Sequence, residues 1–376
     1  MIRLGILGGG QLAQMLTQSA ISLGIATTIF ERSADSPAGR LTQREVVGDW
    51  ADGAAQSQFV AHSDVATLEN EFVDAAILAR LAATGLPLFP SATTLALIQD
   101  KLHQKQALTR AALPVPPFVG VETPAAIEAF AALHGWPLIL KARRDGYDGY
   151  GNATLRSAAD ILPAWERLAR GGRALLVEAF VPFVRELAVM VTRGRDGTFA
   201  TYPVVETVQH NHICHLVRAP APLPVAVAHQ ATQLAQQAIA AVDGVGIFGV
   251  ELFHCADGHV LINELAPRPH NSGHYTIEAC VTSQFENHIR AVLGWPLGAT
   301  AMRAPAAVMI NLLGQRTGAT SDDGIAAALA VPGAHLHIYG KRDVRLGRKM
   351  GHVTALGETL DAAAALAQAA AERVTL

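Results

Sequence analysis

The first thirty residues restrict the fold more than any other stretch. Arg3-Leu4-Gly5-Ile6-Leu7 is a nearly unbroken apolar strand that asks for cover on both faces, and it runs straight into Gly8-Gly9-Gly10. A helical stretch over 11–23, stopped by Gly24, leads to a second strand over 26–30 that finishes at Glu31. Strand, glycine turn, helix and strand in that order form a βαβ opening of Rossmann type, which commits the N-terminal region to a parallel sheet. Gly8-x-Gly10-x-x-Ala13 also fits the loose dinucleotide fingerprint, with Glu31 near the acidic position. Two readings stay open: a nicotinamide dinucleotide, or another anion facing the glycine amides and the helix N-terminus.

The chain has 376 residues, more than one core usually serves, so two or three domains are expected. Half of the residues are hydrophobic and 16% are charged, a balance ordinary for a compact α/β enzyme and too apolar for a disordered chain. The formal charge of −3 argues against a general nucleic-acid binder, so phosphate chemistry would need local basic groups. Cys214, Cys255 and Cys280 have no C-x-x-C spacing and read as reduced thiols. No charged-then-apolar leader precedes the first strand, and no uncharged apolar run reaches the roughly 20 residues of a membrane helix. The expectation is a soluble, cytoplasmic protein.

The densest chemistry lies at Asn263-Glu264-Leu265-Ala266-Pro267-Arg268-Pro269-His270-Asn271-Ser272-Gly273-His274, where two prolines forbid a helix. Glu251 stands twelve residues before Asn263, and Asp257-Gly258 between them reads as a hairpin turn. Glu251 and Glu264 would then sit on neighbouring antiparallel strands facing one cavity. With the Asn263 amide they would offer hard oxygen ligands suited to Mg²⁺. The plainer reading is two strand-end glutamates reaching water.

Upstream, a strand over 137–141 ends at Lys141 and opens into Ala142-Arg143-Arg144-Asp145-Gly146-Tyr147-Asp148-Gly149-Tyr150-Gly151-Asn152. A strand-end lysine before a loop with three glycines can hold phosphate, although the G-x-x-x-x-G-K order is absent. A flexible basic hairpin is the alternative. One helix is expected over 93–112, carrying Lys101 and Lys105, and another over 124–134. The apolar strand over 174–181 ends at Pro182, leaving backbone groups that an adenine edge can use, and Glu186 on the next strand could accept from ribose hydroxyls. A strand-like segment at 87–89 closes the first domain.

His210, His212 and His215 invite zinc, but only two share a strand face and no cysteine completes a tetrahedral set. Toward the C-terminus, Lys341-Arg342-Asp343-Val344-Arg345-Leu346-Gly347-Arg348-Lys349 carries five cations, fit for a solvated hairpin or for the phosphate of a small anionic substrate. An amphipathic helix over 360–373 follows.

Taken in order, these elements resemble the ATP-grasp superfamily and, within it, the family of N5-carboxyaminoimidazole ribonucleotide synthases. The resemblance spans nearly the whole chain. It is carried by Gly8-Gly9-Gly10-Gln11-Leu12, Arg144-Asp145-Gly146-Tyr147-Asp148-Gly149, the run 263–274, Ser283-Gln284-Phe285-Glu286, and Lys341 with Gly347-Arg348-Lys349-Met350-Gly351-His352. It implies an α/β and α+β multidomain fold: a Rossmann-like domain over 1–100, an ATP-grasp domain over 101–297 with a lid over about 113–176, and a small β-rich domain over 298–376. It implies ATP as co-substrate, bound by Lys101, Lys141, the loop Gly146, Tyr147, Asp148, Gly149, Tyr150, Gly151 and Asn152, the strand end Glu178, Ala179, Phe180 and Val181, and Glu186, Gln209, Asn263 and Glu264. Glu251 and Glu264 would hold Mg²⁺ or Mn²⁺. Tyr147, Asp148, Glu71, Arg268, Asn271, Ser272, Lys341 and Arg348 would bind 5-aminoimidazole ribonucleotide, with Arg268 and Lys341 in catalytic positions. Bicarbonate, activated as carboxyphosphate, would carboxylate the ribonucleotide, and the chain would work as a homodimer in purine biosynthesis.

The chain departs from that pattern at three points. Tyr150 replaces a basic loop residue, Gln209 stands where a histidine is common, and Leu68-Glu69-Asn70-Glu71-Phe72 reorders a Glu-Phe-Glu-Asn run. Competing readings are another ATP-grasp ligase, such as a formate-dependent glycinamide ribonucleotide transformylase, an NAD-binding oxidoreductase, and a non-catalytic nucleotide sensor.

Overall fold

The computed structural model describes residues 2–146, 151–210 and 213–376. Its first unit is a four-stranded parallel sheet built from β1 (Arg3–Leu7), β2 (Ala26–Glu31), β3 (Glu45–Val47) and β4 (Val65–Leu68), in the order β3-β2-β1-β4. Helices α1 (Gln11–Ser22) and α2 (Gly53–Ala61) link strands, α3 (Ala75–Ala83) follows β4, and all three pack on the sheet. Leu4, Ile6 and Leu7 of β1 are wholly buried, as an apolar strand between two helical layers requires. The segment 87–89 makes one parallel bridge, Ala66 to Leu88, and no named strand. It is too short to extend the sheet further.

The helix expected over 93–112 is two helices, α4 (Ala92–Gln99) and α5 (Lys101–Arg110). Asp100 breaks them. Its backbone is extended and its carboxylate caps α5 by accepting from the amides of Leu102 and His103. The same carboxylate takes the Arg143 guanidinium at 2.6 and 2.9 Å, and the Lys101 amide donates to the Arg143 carbonyl at 2.8 Å. Tertiary partners thus outweigh the helical periodicity, and Lys101 is set beside the end of the lysine strand.

A small sheet ordered β5-β8-β6-β7 follows, from β5 (Phe118–Val121), β6 (Leu138–Ala142), β7 (Asn152–Leu155) and β8 (Leu175–Ala179). Helices α6 (Pro124–His134) and α7 (Ile161–Leu168) pack on it. Thr123 caps α6 and a proline sits in its first turn, which is why its bounds are readable from sequence. This sheet runs through β8, so it extends to Ala179, past the lid boundary near 176.

The largest sheet has nine strands. Its path β14-β13-β9-β11-β12-β15-β19-β17 joins β9 (Phe183–Arg193), β11 (Val205–His210), β12 (Ile213–Ala219), β13 (Gly246–Cys255), β14 (Val260–Ala266), β15 (Ala306–Leu313), β17 (Ala334–Ile338) and β19 (Lys349–Gly357), with β10 (Phe199–Thr201) beside β9. The pairing of β12 with β15, Leu216 opposite Ile310 and Ala219 opposite Ala307, carries one sheet across position 298. Helix α8 (Val225–Ala241) packs on one half of it and α12 (Leu360–Ala371) on the other. Helices α9 (Thr276–Ala279), α10 (Gln284–Leu293) and α11 (Ile325–Leu329) and the two-stranded pair β16 (Gly318–Ala319) with β18 (Asp343–Val344) complete the chain. Among the described residues no helix is long and apolar enough to cross a membrane.

Candidate active site

Glu251 on β13 and Glu264 on β14 are direct cross-strand partners, as the Asp257-Gly258 turn predicts. The next pair is Leu252 with Ile262, so Asn263 is an extra residue on β14. A bulge of this kind suspends the alternation of faces. It lets the consecutive residues Asn263 and Glu264 join one side-chain cluster, Asn263 with Glu251 and Lys141 and Glu264 with Lys101. The Asn263 amide donates to Glu251 Oε2 at 3.4 Å, while its oxygen accepts from Lys141 Nζ at 3.4 Å. Glu264 pairs with Lys101, and His270 Nε2 lies 3.4 Å from Glu251 Oε1. Burial raises the Glu264 carboxyl, but Lys101 and Lys141 outweigh it and bring the pKa down to about 2. Lys101 is raised for the reciprocal reason, Glu264 overcoming the desolvation that would lower it.

Behind this pair, Glu178 lies only 2% exposed between two lysines, Lys105 Nζ at 3.1 Å and Lys141 Nζ at 2.8 Å. Its side chain thus ties both lysines to the end of β8. The segment that follows, Ala179, Phe180 and Val181, keeps the strand-end position, with the Ala179 amide donating to Pro117 O and that of Phe180 to Pro137 O. Lys105 also donates to the Asn263 carbonyl at 3.2 Å, and burial brings its pKa down to about 8 against the pull of Glu178. The sequence reading assigned Lys105 no role. The available signal is its position four residues after Lys101, which puts both on one face of α5.

Glu186 sits on β9, across from Phe253 of β13. Burial, then the nearby Glu251 charge, push its carboxyl up to about 7, against a hydrogen bond from Gln209. Gln209 and Glu186 are thereby brought together. Gly146, Gly151 and Asn152 bound the loop between β6 and β7: Gly151 has φ +89°, its carbonyl accepts from the Ala142 amide at 2.7 Å, and Asn152 opposes Lys141. Tyr147, Asp148, Gly149, Tyr150 and His212 lie outside the described residues.

Glu71 holds Arg268 through two guanidinium bonds, Nη2 to Oε1 at 2.8 Å and Nε to Oε2. Burial raises Glu71, yet Arg268 draws it below the ordinary range. Fully buried Gln284 accepts from the His270 amide at 3.0 Å and donates to its carbonyl at 2.8 Å, fixing the turn between Arg268 and Asn271. Asn271 and Asn311 of β15 are side-chain partners at 2.7–2.8 Å, and Ser272 is buried. The cationic segment is no plain hairpin. Lys341 donates to the Lys349 carbonyl at 2.6 Å over the Tyr339 ring, and Arg348 donates to the Asp343 carbonyl at 2.7 Å.

The glycine loop overturns the dinucleotide reading. Glu69 accepts from the Gly10 amide at 2.9 Å and the Ala13 amide at 3.0 Å, and Glu31 accepts from Gly9 at 2.8 Å. A Cβ on Gly10 would meet Glu69 Oε1 at 2.7 Å, so the glycines make room for the protein's own carboxylates where a pyrophosphate would lie. Of the three histidines that invite zinc, His212 lies outside the described residues. Among the described residues no group of three or more His, Cys, Asp or Glu is arranged to hold a metal ion. The Glu251/Glu264 pair with Asn263 is a different kind of donor set. Two hard carboxylates and an amide suit an ion that completes its shell with water and phosphate.

Two α+β units meeting over paired lysines and a cross-strand carboxylate pair, behind a Rossmann-like domain, define an ATP-grasp protein. Residues 106–285 match the ATP-grasp domain family, 1–99 the ribonucleotide synthetase preATP-grasp domain, and 307–366 the phosphoribosylaminoimidazole carboxylase C-terminal domain. The N5-carboxyaminoimidazole ribonucleotide synthase of Synechococcus elongatus is 43% identical over 93% of this chain and 88% of its own. The synthetase structure from Thermotoga maritima superposes with a TM-score of 0.89 at 39% identity, covering 100% of this chain and 99% of that one. The Aspergillus clavatus enzyme, solved with ADP and 5-aminoimidazole ribonucleotide, gives 0.90 at 36% identity over 99% and 98%. The chain belongs to the N5-carboxyaminoimidazole ribonucleotide synthase family of ATP-grasp ligases.

Proposed function

We propose that this ligase carboxylates the exocyclic amine of 5-aminoimidazole ribonucleotide with bicarbonate and ATP, giving N5-carboxyaminoimidazole ribonucleotide, ADP and phosphate in purine biosynthesis. The observation that carries the reading is the continuous cluster Lys101–Glu264, Asn263, Lys141, Glu178 and Lys105, an array of opposite charges buried at Glu178, Lys105 and Lys141 and part-exposed at Lys101 and Glu264. Lys101 and Lys141 bind the ATP phosphates, the 179–181 segment the adenine edge, and Glu186 with Gln209 the ribose. Glu251 and Glu264, assisted by Asn263, hold Mg²⁺ or Mn²⁺. When bound, the ion neutralises charge on the transferring phosphoryl group.

A bicarbonate oxygen attacks the γ-phosphorus and the bond to ADP breaks, giving carboxyphosphate. The ribonucleotide amine attacks the carboxyl carbon, phosphate leaves, and the amine loses a proton. No covalent protein nucleophile is needed. Arg268, held by Glu71, is placed to steady the bicarbonate-derived anion, while Asn271, Ser272, Lys341 and Arg348 hold the ribonucleotide. Tyr147 and Asp148 belong to the same group by family resemblance. Such an enzyme is expected in the cytoplasm as a homodimer, independent of nucleic acid and membrane.

The decisive experiment is ADP release from Mg·ATP and bicarbonate, with and without 5-aminoimidazole ribonucleotide, using Glu264→Gln as control. Release that requires the ribonucleotide and is lost in the mutant supports the reading. Release indifferent to the ribonucleotide overturns it and makes glycinamide ribonucleotide with formate the next pair to assay.

A further inference from the structure

The loop after β2 reaches across to the C-terminal domain. Asp35, whose backbone takes φ +60°, is fixed from below: its own amide and that of Ser36 donate to the Glu45 carboxylate at 3.0 and 3.1 Å. The Ala38 amide donates to the Gly9 carbonyl at 3.0 Å, which seats the loop on the glycine turn. From that platform the Asp35 carboxylate holds two arginines. Arg40 donates to it at 2.8 and 3.2 Å, and Arg342 at 3.0 Å through Nε. Arg40 also donates Nη1 to the Gly340 carbonyl at 2.8 Å. The first domain thus grips Gly340 and Arg342, the two neighbours of Lys341. On the far side, Thr320 Oγ1 donates to the Lys341 carbonyl at 2.5 Å and the Thr320 amide to the Arg342 carbonyl at 3.1 Å.

We infer that Asp35 and Arg40 are positioning residues for Lys341, fixing from another domain the backbone that aims its ammonium at the ribonucleotide. The inference rests on the reading of Lys341 as a ribonucleotide ligand. The segment 339–342 lies in no strand or helix, so its path depends on such ties. All three side chains of the clamp are 38–69% exposed, so water and salt screen their ion pairs and they add little to stability. The consequence of the clamp is therefore felt in substrate binding and not in folding. A lysine displaced by about 1 Å loses much of its grip on an anion.

The test compares Arg40→Ala, Arg40→Gln and Lys341→Ala, alone and combined, by ADP release with ribonucleotide and ATP varied separately. Arg40→Ala should raise the KM for the ribonucleotide about tenfold and leave the KM for ATP and the unfolding temperature nearly unchanged. Arg40→Gln, which keeps a donor for the Gly340 carbonyl, should restore most of the loss. In the Lys341→Ala background, Arg40→Ala should add less than about twofold, because residues acting through one another are not additive. Fully additive effects, or an equal rise in the KM for ATP, overturn the positioning role while Lys341 keeps its own. If Lys341→Ala leaves the ribonucleotide KM unchanged, the assignment of Lys341 falls first and takes the clamp with it.

Discussion

Lys105 and Lys141 hold opposite oxygens of one Glu178 carboxylate in a space closed to water. Removing one partner of a buried pair leaves the other charge stranded, at a cost of about 3–5 kcal/mol. Glu178→Gln strands two ammonium groups, whereas Lys105→Met leaves Glu178 and Lys141 still matched. Urea unfolding should therefore show a larger loss for Glu178→Gln than for Lys105→Met. The reverse order would mean that Glu178 is not the anchor of the lysine pair.

Glu186 gives the stability a pH dependence of known sign. Its folded pKa of about 7 exceeds the ordinary carboxylate value, so the folded protein binds the extra proton. The stabilisation this provides is complete below about pH 4.5 and lost as the pH climbs to 7. Nucleotide-free protein should lose thermal stability across that window, and Glu186→Gln should lose less of it. Parallel curves for the two proteins between pH 5 and 7.5 would remove Glu186 as the cause.

The carboxylate pair makes a prediction about Mg²⁺ itself. At fixed ATP, the Mg²⁺ concentration giving half-maximal ADP release should rise at least about tenfold in Glu251→Gln, since even indirect supports of a metal site matter on that scale. An unchanged midpoint would place the ion elsewhere.

Glu69 occupies the amides at the head of α1. Glu69→Ala strands the Gly10 and Ala13 amides, and a buried unsatisfied donor costs about 1–3 kcal/mol. Thermal unfolding should register that loss, with a smaller one in Glu69→Gln. Titration of the unaltered protein with NADH should give no saturable fluorescence change. A saturable one would restore the dinucleotide reading.

Much of this was legible in the chain. The apolar run of β1, the amphipathic stretch of α6 and the Asp257-Gly258 turn are local signals, and each led to the right element. What was not legible depended on distant partners. The break at Asp100 needs Arg143, more than forty residues away, to reward a non-helical carboxylate. The bulge at Asn263 has no composition of its own. Glu69 reads as one more acid after a strand, and only the folded chain shows it turning back onto a glycine loop whose sequence fits a cofactor equally well. Motifs announced the chemistry, but long-range contacts decided which groups face it.

The pairing of β12 with β15 has a consequence for any attempt to divide the protein. A cut near 298 would not separate modules joined by a hinge. It would tear a sheet lengthwise and leave Leu216–Ala219 and Ala307–Ile310, both largely apolar, as raw edges with unpaired amides. Neither fragment is a sound recombinant product on its own, and each would seek a substitute strand in its neighbours. A transplanted C-terminal region would have to arrive with its receiving strand attached.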